Sequence, residues 1–352
     1  MRHRTAYVRS GVAAMALAVV GGLASATATA DPISDFYRAK SLTVVIGYPP
    51  GGGFDAYGRL MADHLPRFVP GTPKATIQFM PGASTLKSVS NIYNVAPQDG
   101  TVIGMAGIQL VFNAYVRGEV GDRVDVKRLH WIGRIAMMDT VTVVWHATGI
   151  KSFADLKGRK FHFGGTSVTA GSAYLPYTFN QFFGTALDVA LGYGGTTEQY
   201  LAMERREIDG MTNAIWSQLQ RSHAGWIRDG KIVPILQDGF ERAPFLPDVP
   251  TIVELAQDEE QRKVLRLMAV PSTFGRSFYV GPSVPAARVT ALRAAFGAMT
   301  KDASVAADVK KLNLDVDPMS GEALQAIVEE VGGYPLSLFE QTLKIITPDK
   351  GR

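Results

Sequence analysis

The chain has no cysteine among its 352 residues. That excludes a thiol nucleophile, a disulfide framework and a cysteine-linked lipid anchor, so core burial alone must hold the fold. Other signatures of chemistry are missing too. There is no Gly-x-Ser-x-Gly elbow. The six histidines are His3, His64, His130, His146, His162 and His223, and no two lie four residues apart as a helical metal site requires. His64 and His162 read as ordinary surface or core positions. No base–nucleophile pair stands out. The expectation is therefore a protein that is not an enzyme, with no catalytic residues, no bound metal and no cofactor.

Excess charge of one sign is absent as well, once the N-terminus is set aside. Arg2, His3, Arg4 and Arg9 form a basic start, an apolar stretch follows over about 11–23, and small residues end at Ala28-Thr29-Ala30 before Asp31. This is the pattern of a secretory signal peptide, residues 1–30, cleaved after Ala30, which predicts an exported protein. Its apolar part is too short for a comfortable membrane span. Retention as an anchor is the alternative reading. The segment holds three of the 36 Lys and Arg and none of the 32 Asp and Glu, so 33 basic against 32 acidic groups leave +1 on the remainder. No basic stripe is left to attract nucleic acid. The roughly 320 residues that remain exceed the size at which single cores stop growing, which argues for two domains.

The 36 glycines and 19 prolines are spread along the chain, and no repeat of fixed period is visible. Short apolar runs alternate with helical patterns, the signature of an α/β fold with largely parallel sheets. Candidate strands are 42–46, 75–79, 101–105, 141–146, 160–163, 188–191, 232–236 and 277–280. Ser152-Phe153-Ala154-Asp155 has capping-box spacing. Thr196 or Thr197 can cap a helix through Tyr200 and Leu201. Ser283 can cap a helix with Pro285 in its first turn. Ser320 can cap a last long helix, which Gly332-Gly333-Tyr334-Pro335 should break. No long linker occurs, so the domains must join by short crossings, near 131–138 and 264–277. One lobe would then be discontinuous, residues 31–135 with 270–352. The other would span 136–269, with a ligand cleft between them.

The most informative stretch is Tyr48-Pro49-Pro50-Gly51-Gly52-Gly53-Phe54-Asp55. It lies between the apolar run 42–46 and a helical pattern carrying Phe54, Tyr57, Leu60 and Phe68. Strand, glycine turn and helix aim bare main-chain N–H groups at a small anion. A loose dinucleotide fingerprint, Gly51-x-Gly53-x-x-Ala56, is opposed by Pro49-Pro50 and by the lack of an acidic ribose ligand after the next strand. A phosphate-binding P-loop fails because no Gly-Lys-Ser/Thr follows. A plain structural turn remains the alternative to an anion-binding one. Asp55 can cap the helix or accept a hydrogen bond from a ligand.

Three more segments repeat the theme at strand ends: Met80-Pro81-Gly82-Ala83-Ser84-Thr85, Phe163-Gly164-Gly165-Thr166-Ser167-Val168-Thr169-Ala170-Gly171-Ser172, and Tyr193-Gly194-Gly195-Thr196-Thr197. Ser84 or Thr85 reads first as an N-cap. Open α/β sheets bind ligands at the carboxyl ends of their strands. Trp216 and Trp226 read as core or lobe-surface residues, though Trp216, just beyond Asn213, could border the cleft.

In order and spacing these segments resemble the periplasmic solute receptors of tripartite tricarboxylate transporters, the TctC/Bug family. The resemblance rests on Tyr48 to Asp55 with Arg59 beyond, Pro81-Gly82-Ala83, Ala96-Pro97-Gln98-Asp99-Gly100, Leu246-Pro247-Asp248-Val249-Pro250-Thr251 with Glu254, and Val280-Gly281-Pro282-Ser283-Val284-Pro285. It implies a two-lobed periplasmic-binding-protein fold, the Venus-flytrap of type II-like form. It implies capture of a small carboxylate by main-chain amides, and delivery to the membrane permease subunits of a transporter by a monomer. A ligand-sensing partner of a two-component sensor kinase is the alternative. One wall of the site would comprise Tyr48, Pro50, Gly52, Gly53, Asp55 and Ala83. The other would comprise Thr166, Ser167, Thr169 and Ser172, with Tyr193 and Asn213 at its edge. Arg59 is expected to be a structural partner on its helix, not a ligand counter-ion. The chain departs from the family pattern where Ser84-Thr85-Leu86 follow Ala83 in place of further glycine. The middle loop is about one residue longer, and Tyr174 stands near a frequent histidine.

Overall fold

The computed structural model describes residues 31–118, 124–168 and 170–347. The expected signal peptide and Thr169 lie outside the described residues. Four strands come first: β1 Ser41–Ile46, β2 Lys74–Phe79, β3 Val102–Met105 and β4 His130–Arg134. The next five form a separate sheet: β5 Thr140–Trp145, β6 Lys160–Gly165, β7 Ala186–Leu191, β8 Gly210–Ile215 and β9 Ile232–Gln237. The last two, β10 Ser277–Val280 and β11 Met319–Ser320, return to the first sheet. The sheet orders are β11-β4-β10-β3-β1-β2 and β7-β6-β8-β5-β9.

The sheets are mixed, which corrects the expectation of largely parallel ones. β1 runs parallel to β2 and β3, and β6 parallel to β7 and β8. β10 is antiparallel to β3 and β4, and β5 to β8 and β9. The antiparallel pairs cluster where the chain leaves the first sheet after β4 and comes back at β10. A strand that departs and one that returns run in opposite directions when they lie side by side.

The local chemistry explains most elements. In β1, Leu42, Val44, Val45 and Ile46 are buried. The helix Gly53–His64 can approach β1 closely because Gly58 has no side chain; a Cβ there would fall 2.3 Å from Ile46 Cδ1. Gly133 in β4 makes room for the ring of Phe296 in the same way, at 2.2 Å. The expected capping box is present at Ser152 and Asp155, and Ser320 Oγ accepts from Ala323 N–H at 3.2 Å. Two other caps differ. Helix Thr196–Glu204 starts on Gly195 and helix Ala286–Met299 on Pro285, neither with a side-chain cap. Thr196 and Ser283 therefore do not cap. Helix Gly321–Gly332 stops at the expected break, and helix Leu336–Ile346 follows Pro335.

Two loops singled out in the sequence are structural clamps. Gln98 Nε2 donates to the carbonyls of Ile92 and Ala96, while its Oε1 accepts from Ser283 N–H. Gln237 Nε2 donates to the carbonyls of Leu246 and Val249. Arg242 donates to both oxygens of Glu254 and to the carbonyl of Pro247.

The chain crosses between the sheets twice, over 135–139 and again between β9 and β10. The two crossings are hydrogen-bonded to each other. Arg276 N–H donates to Ala136 O at 2.7 Å, and Ile135 N–H to Arg276 O at 3.1 Å. Met138 N–H donates to Ser272 O, and Ser272 Oγ donates to Met138 O. One core cluster takes residues from both sheets, among them Val45 and Tyr279 with Phe163 and Leu236. The last helix, Leu336–Ile346, packs on helix Gly171–Phe183 beside the second sheet.

Candidate functional site

A cavity of about 770 Å³ opens between the elements of the two sheets. From the first sheet's side it is lined by Gly53, Tyr57, Arg276 and the segment 312–317. From the second come Ile215, Ser217, Gln218, Arg221, Pro244 and Phe245, and the crossing 136–139 forms its back.

The glycine turn after β1 delivers the N-terminus of helix Gly53–His64 to this wall. Its N-cap is Gly52, with no side-chain cap, so its first amides are left to other partners. Asp55 Oδ2 accepts from Gly51 N–H at 2.7 Å, and Oδ1 pairs with Arg59 Nε at 2.7 Å. The carboxylate is thus committed within its own turn, and Arg59 is its partner. Tyr48 stacks on Phe54, with ring centroids 3.9 Å apart. Burial pushes the Tyr48 phenol up.

The turn after β2 is backbone-strained. Gly82, Ala83, Ser84 and Thr85 all have positive φ: 139°, 46°, 50° and 77°. For L-residues the left-handed region costs about 1–2 kcal/mol each, and such strain concentrates at functional turns. Thr85 is the N-cap residue of the next helix, Leu86–Asn94, as expected, but its side chain makes no capping hydrogen bond. Thr85 instead fills the slot between Gly47 and Gly107, where added Cβ atoms would fall 2.8 and 3.2 Å from its Cβ. Its hydroxyl is buried there without a partner.

On the second sheet, Thr166 N–H donates to Ser172 Oγ at 3.1 Å, so these two satisfy each other at the start of helix Gly171–Phe183. Ser167 O accepts from Ala170 N–H at 3.1 Å. Tyr193 N–H donates to Gly165 O. Asn213 has φ 61° within β8 and donates through Nδ2 to Asp238 Oδ2 at 3.2 Å. Asp238 is buried, and desolvation pushes its carboxyl up to about 6. Tyr174 is buried and stacks on Phe112 at 5.4 Å. Of the described residues expected to form the two walls, only Gly53 lines the large cavity. Gly52 and Asp55 border a smaller hollow of about 310 Å³ with Arg59 and His64. Trp216 is a core residue.

Sequence reasoning missed the charged groups of the cavity: Asp139 and Arg276 in the two crossings, with Arg221, Asp315 and Asp317 around them. Asp139 sits in the crossing and holds the N-terminus of helix Trp216–Ser222. Its Oδ2 accepts from Ser217 N–H at 2.5 Å and its Oδ1 from Ser217 Oγ at 3.2 Å. Burial raises its carboxyl, against those hydrogen bonds. Arg276, in the other crossing, lies over the rings of Phe54 and Tyr57 at 4.1 and 5.5 Å. Its Nη1 reaches Met138 Sδ at 2.6 Å, and its Nε is buried with no hydrogen-bond partner. Burial lowers its basicity. The rings offer a cation–π surface but no counter-charge.

No family model and no curated protein matches the chain. Solved structures do. A TctC solute-binding protein from Polaromonas, without ligand, is similar with a TM-score of 0.68 at 17% identity, over 88% of this chain and 99% of that one. MatC from Rhodopseudomonas palustris with bound malate gives 0.54 at 16% identity, over 87% and 99%. A second R. palustris protein, with adipate, gives 0.54 at 19% identity, over 88% and 97%. The chain therefore has the two-lobed α/β fold of these solute-binding proteins.

Proposed function

We propose that this protein is a periplasmic solute-binding receptor. It captures a small carboxylate between its two lobes and delivers it to the membrane permease subunits of a tripartite tricarboxylate-type transporter. Residues 31–135 with 270–352 form one lobe and 136–269 the other. The protein works as a monomer, does no chemistry on its ligand and leaves its compartment signal, residues 1–30, behind. The observation that carries the reading is the cavity itself. It is large enough for a metabolite, it is lined from both sheets, and the uncapped start of helix Gly53–His64 stands on its wall. A helix start favours a negative group by about 0.3–1 kcal/mol, and up to ~2 where water is partly excluded. The malate and adipate held by two proteins of this fold are of the same chemistry.

The test is a melting-temperature screen against small organic acids and neutral solutes of similar size. A ligand at a hundred times its dissociation constant stabilises by about 2.7 kcal/mol. Carboxylates should raise the midpoint and neutral analogues should not. A protein stabilised only by uncharged solutes, or one that converts a bound acid to product, would refute the reading.

A further inference from the structure

Arg276 presents an electrostatic imbalance that the fold does not resolve. A guanidinium taken out of water is costly unless it is paired and hydrogen-bonded. The cavity's other lining cation has a partner, Arg221 Nη1 lying 3.9 Å from Asp315 Oδ2, and Arg134, behind the lining residue Asp317, meets its Oδ2 at 2.6 Å. Among the described residues no carboxylate forms an ion pair with Arg276, and its Nε is buried and unsatisfied. Only Asp139 is close enough to be felt, and both its oxygens are engaged by Ser217. The guanidinium stands beside Gly53, where a Cβ would lie 3.4 Å from its Nη2, so it shares one corner with the helix start.

The remainder of the cavity is of opposite character. Met137, Met138 and Pro244 line it, and its mouth carries Phe245, Leu312 and Val316. These last three are 43%, 52% and 49% exposed, large apolar groups left in water around one opening. Apart from Arg276, the charges facing the cavity are Arg221 and three acids, Asp139, Asp315 and Asp317. A second carboxylate on the ligand would meet acids and no free cation.

We infer that Arg276 is the ligand's counter-ion, and that the site takes a single carboxylate group carried on an apolar body. This rests on the receptor reading but moves the anchor from main-chain amides to a side chain. The carboxylate meets the guanidinium, and the apolar body runs between Met137, Met138 and the rim formed by Phe245, Leu312 and Val316. Polycarboxylates are rejected by the acids around the cavity.

The experiment is titration of the mature-length protein, wild type and R276Q, with benzoate, hexanoate, benzamide, succinate and citrate, read by calorimetry and by melting temperature. Benzoate or hexanoate should bind wild type, at least tenfold tighter than succinate or citrate, and benzamide should not bind. R276Q should lose at least tenfold in affinity for the monocarboxylate while its ligand-free melting temperature does not fall. R276K should keep part of the affinity. Equal binding to R276Q, or preference of wild type for succinate or citrate, would overturn the inference and leave the receptor reading standing. Binding of none of the acids would remove both. If R276Q does not fold, the comparison of mono- with polycarboxylates on wild type decides.

Discussion

Replacing Asp238 by Asn should change how the protein's stability depends on pH, and the size of the change follows from the site. Asp238 is buried just beyond β9, and its Oδ2 accepts from Asn213 Nδ2. Desolvation holds the carboxyl at about 6, against 3.8 for the unfolded chain. Between those values the folded protein binds more protons than the unfolded one, so stability falls as pH rises. The contribution is fully present below pH 3.8 and is lost as pH rises through about 6. The gap corresponds to about 3 kcal/mol at 1.36 kcal/mol for each tenfold change in proton affinity. D238N keeps an acceptor for Asn213 and carries no charge at any pH. Its new N–H donors add a constant offset without altering the slope. Thermal melts of both proteins from pH 3.5 to 7.5 provide the assay. The difference, variant minus wild type, should grow by about 3 kcal/mol, or ~6 °C at about 2 °C per kcal/mol for a chain of this size. Most of the growth should fall between pH 4 and 6. Parallel curves, or a difference that shrinks with pH, would refute the reasoning.

Two further outcomes follow from geometry. R59A removes a partner of Asp55 that is itself half-exposed. Exposed pairs contribute about 0–1 kcal/mol, so its melting temperature should change little and its affinity for a bound carboxylate by less than about threefold; abolished binding in a folded variant would make Arg59 a ligand contact. G133A puts a Cβ 2.2 Å from Phe296 Cε1 in the first sheet's core. Overpacking of this kind costs about 1–3 kcal/mol, which denaturant melts should show, and G133A with F296L should recover part of the loss.

Much of this architecture is legible in the sequence. Leu42 to Ile46, with the glycine turn and the pattern after it, declare strand, turn and helix because local chemistry decides all three. β4 and β8 are not legible. His130-Trp131-Ile132-Gly133-Arg134 carries a glycine that exists for Phe296, more than 150 residues away. Gly210-Met211-Thr212-Asn213-Ala214-Ile215 has few β-branched residues and a left-handed Asn213. Both are strands because of what packs on them. The antiparallel pairings are hidden for a related reason: direction is set by where the chain crosses. The candidate site divides the same way. Gly52, Gly53 and Asp55 announce themselves as a motif. Arg276 follows Phe274-Gly275 in no motif, and its meaning arises only when Phe54 and Tyr57 are folded against it.

The paired crossings have a mechanical consequence. Because Ile135, Ala136 and Arg276 exchange main-chain hydrogen bonds, the two links lie side by side as one two-stranded ribbon, and bending either alone would break those bonds. The cavity's back wall is that ribbon, residues 136–139 and Arg276. A molecule lodged in the cavity would touch both links at once, since Ala136 and Arg276 line it together.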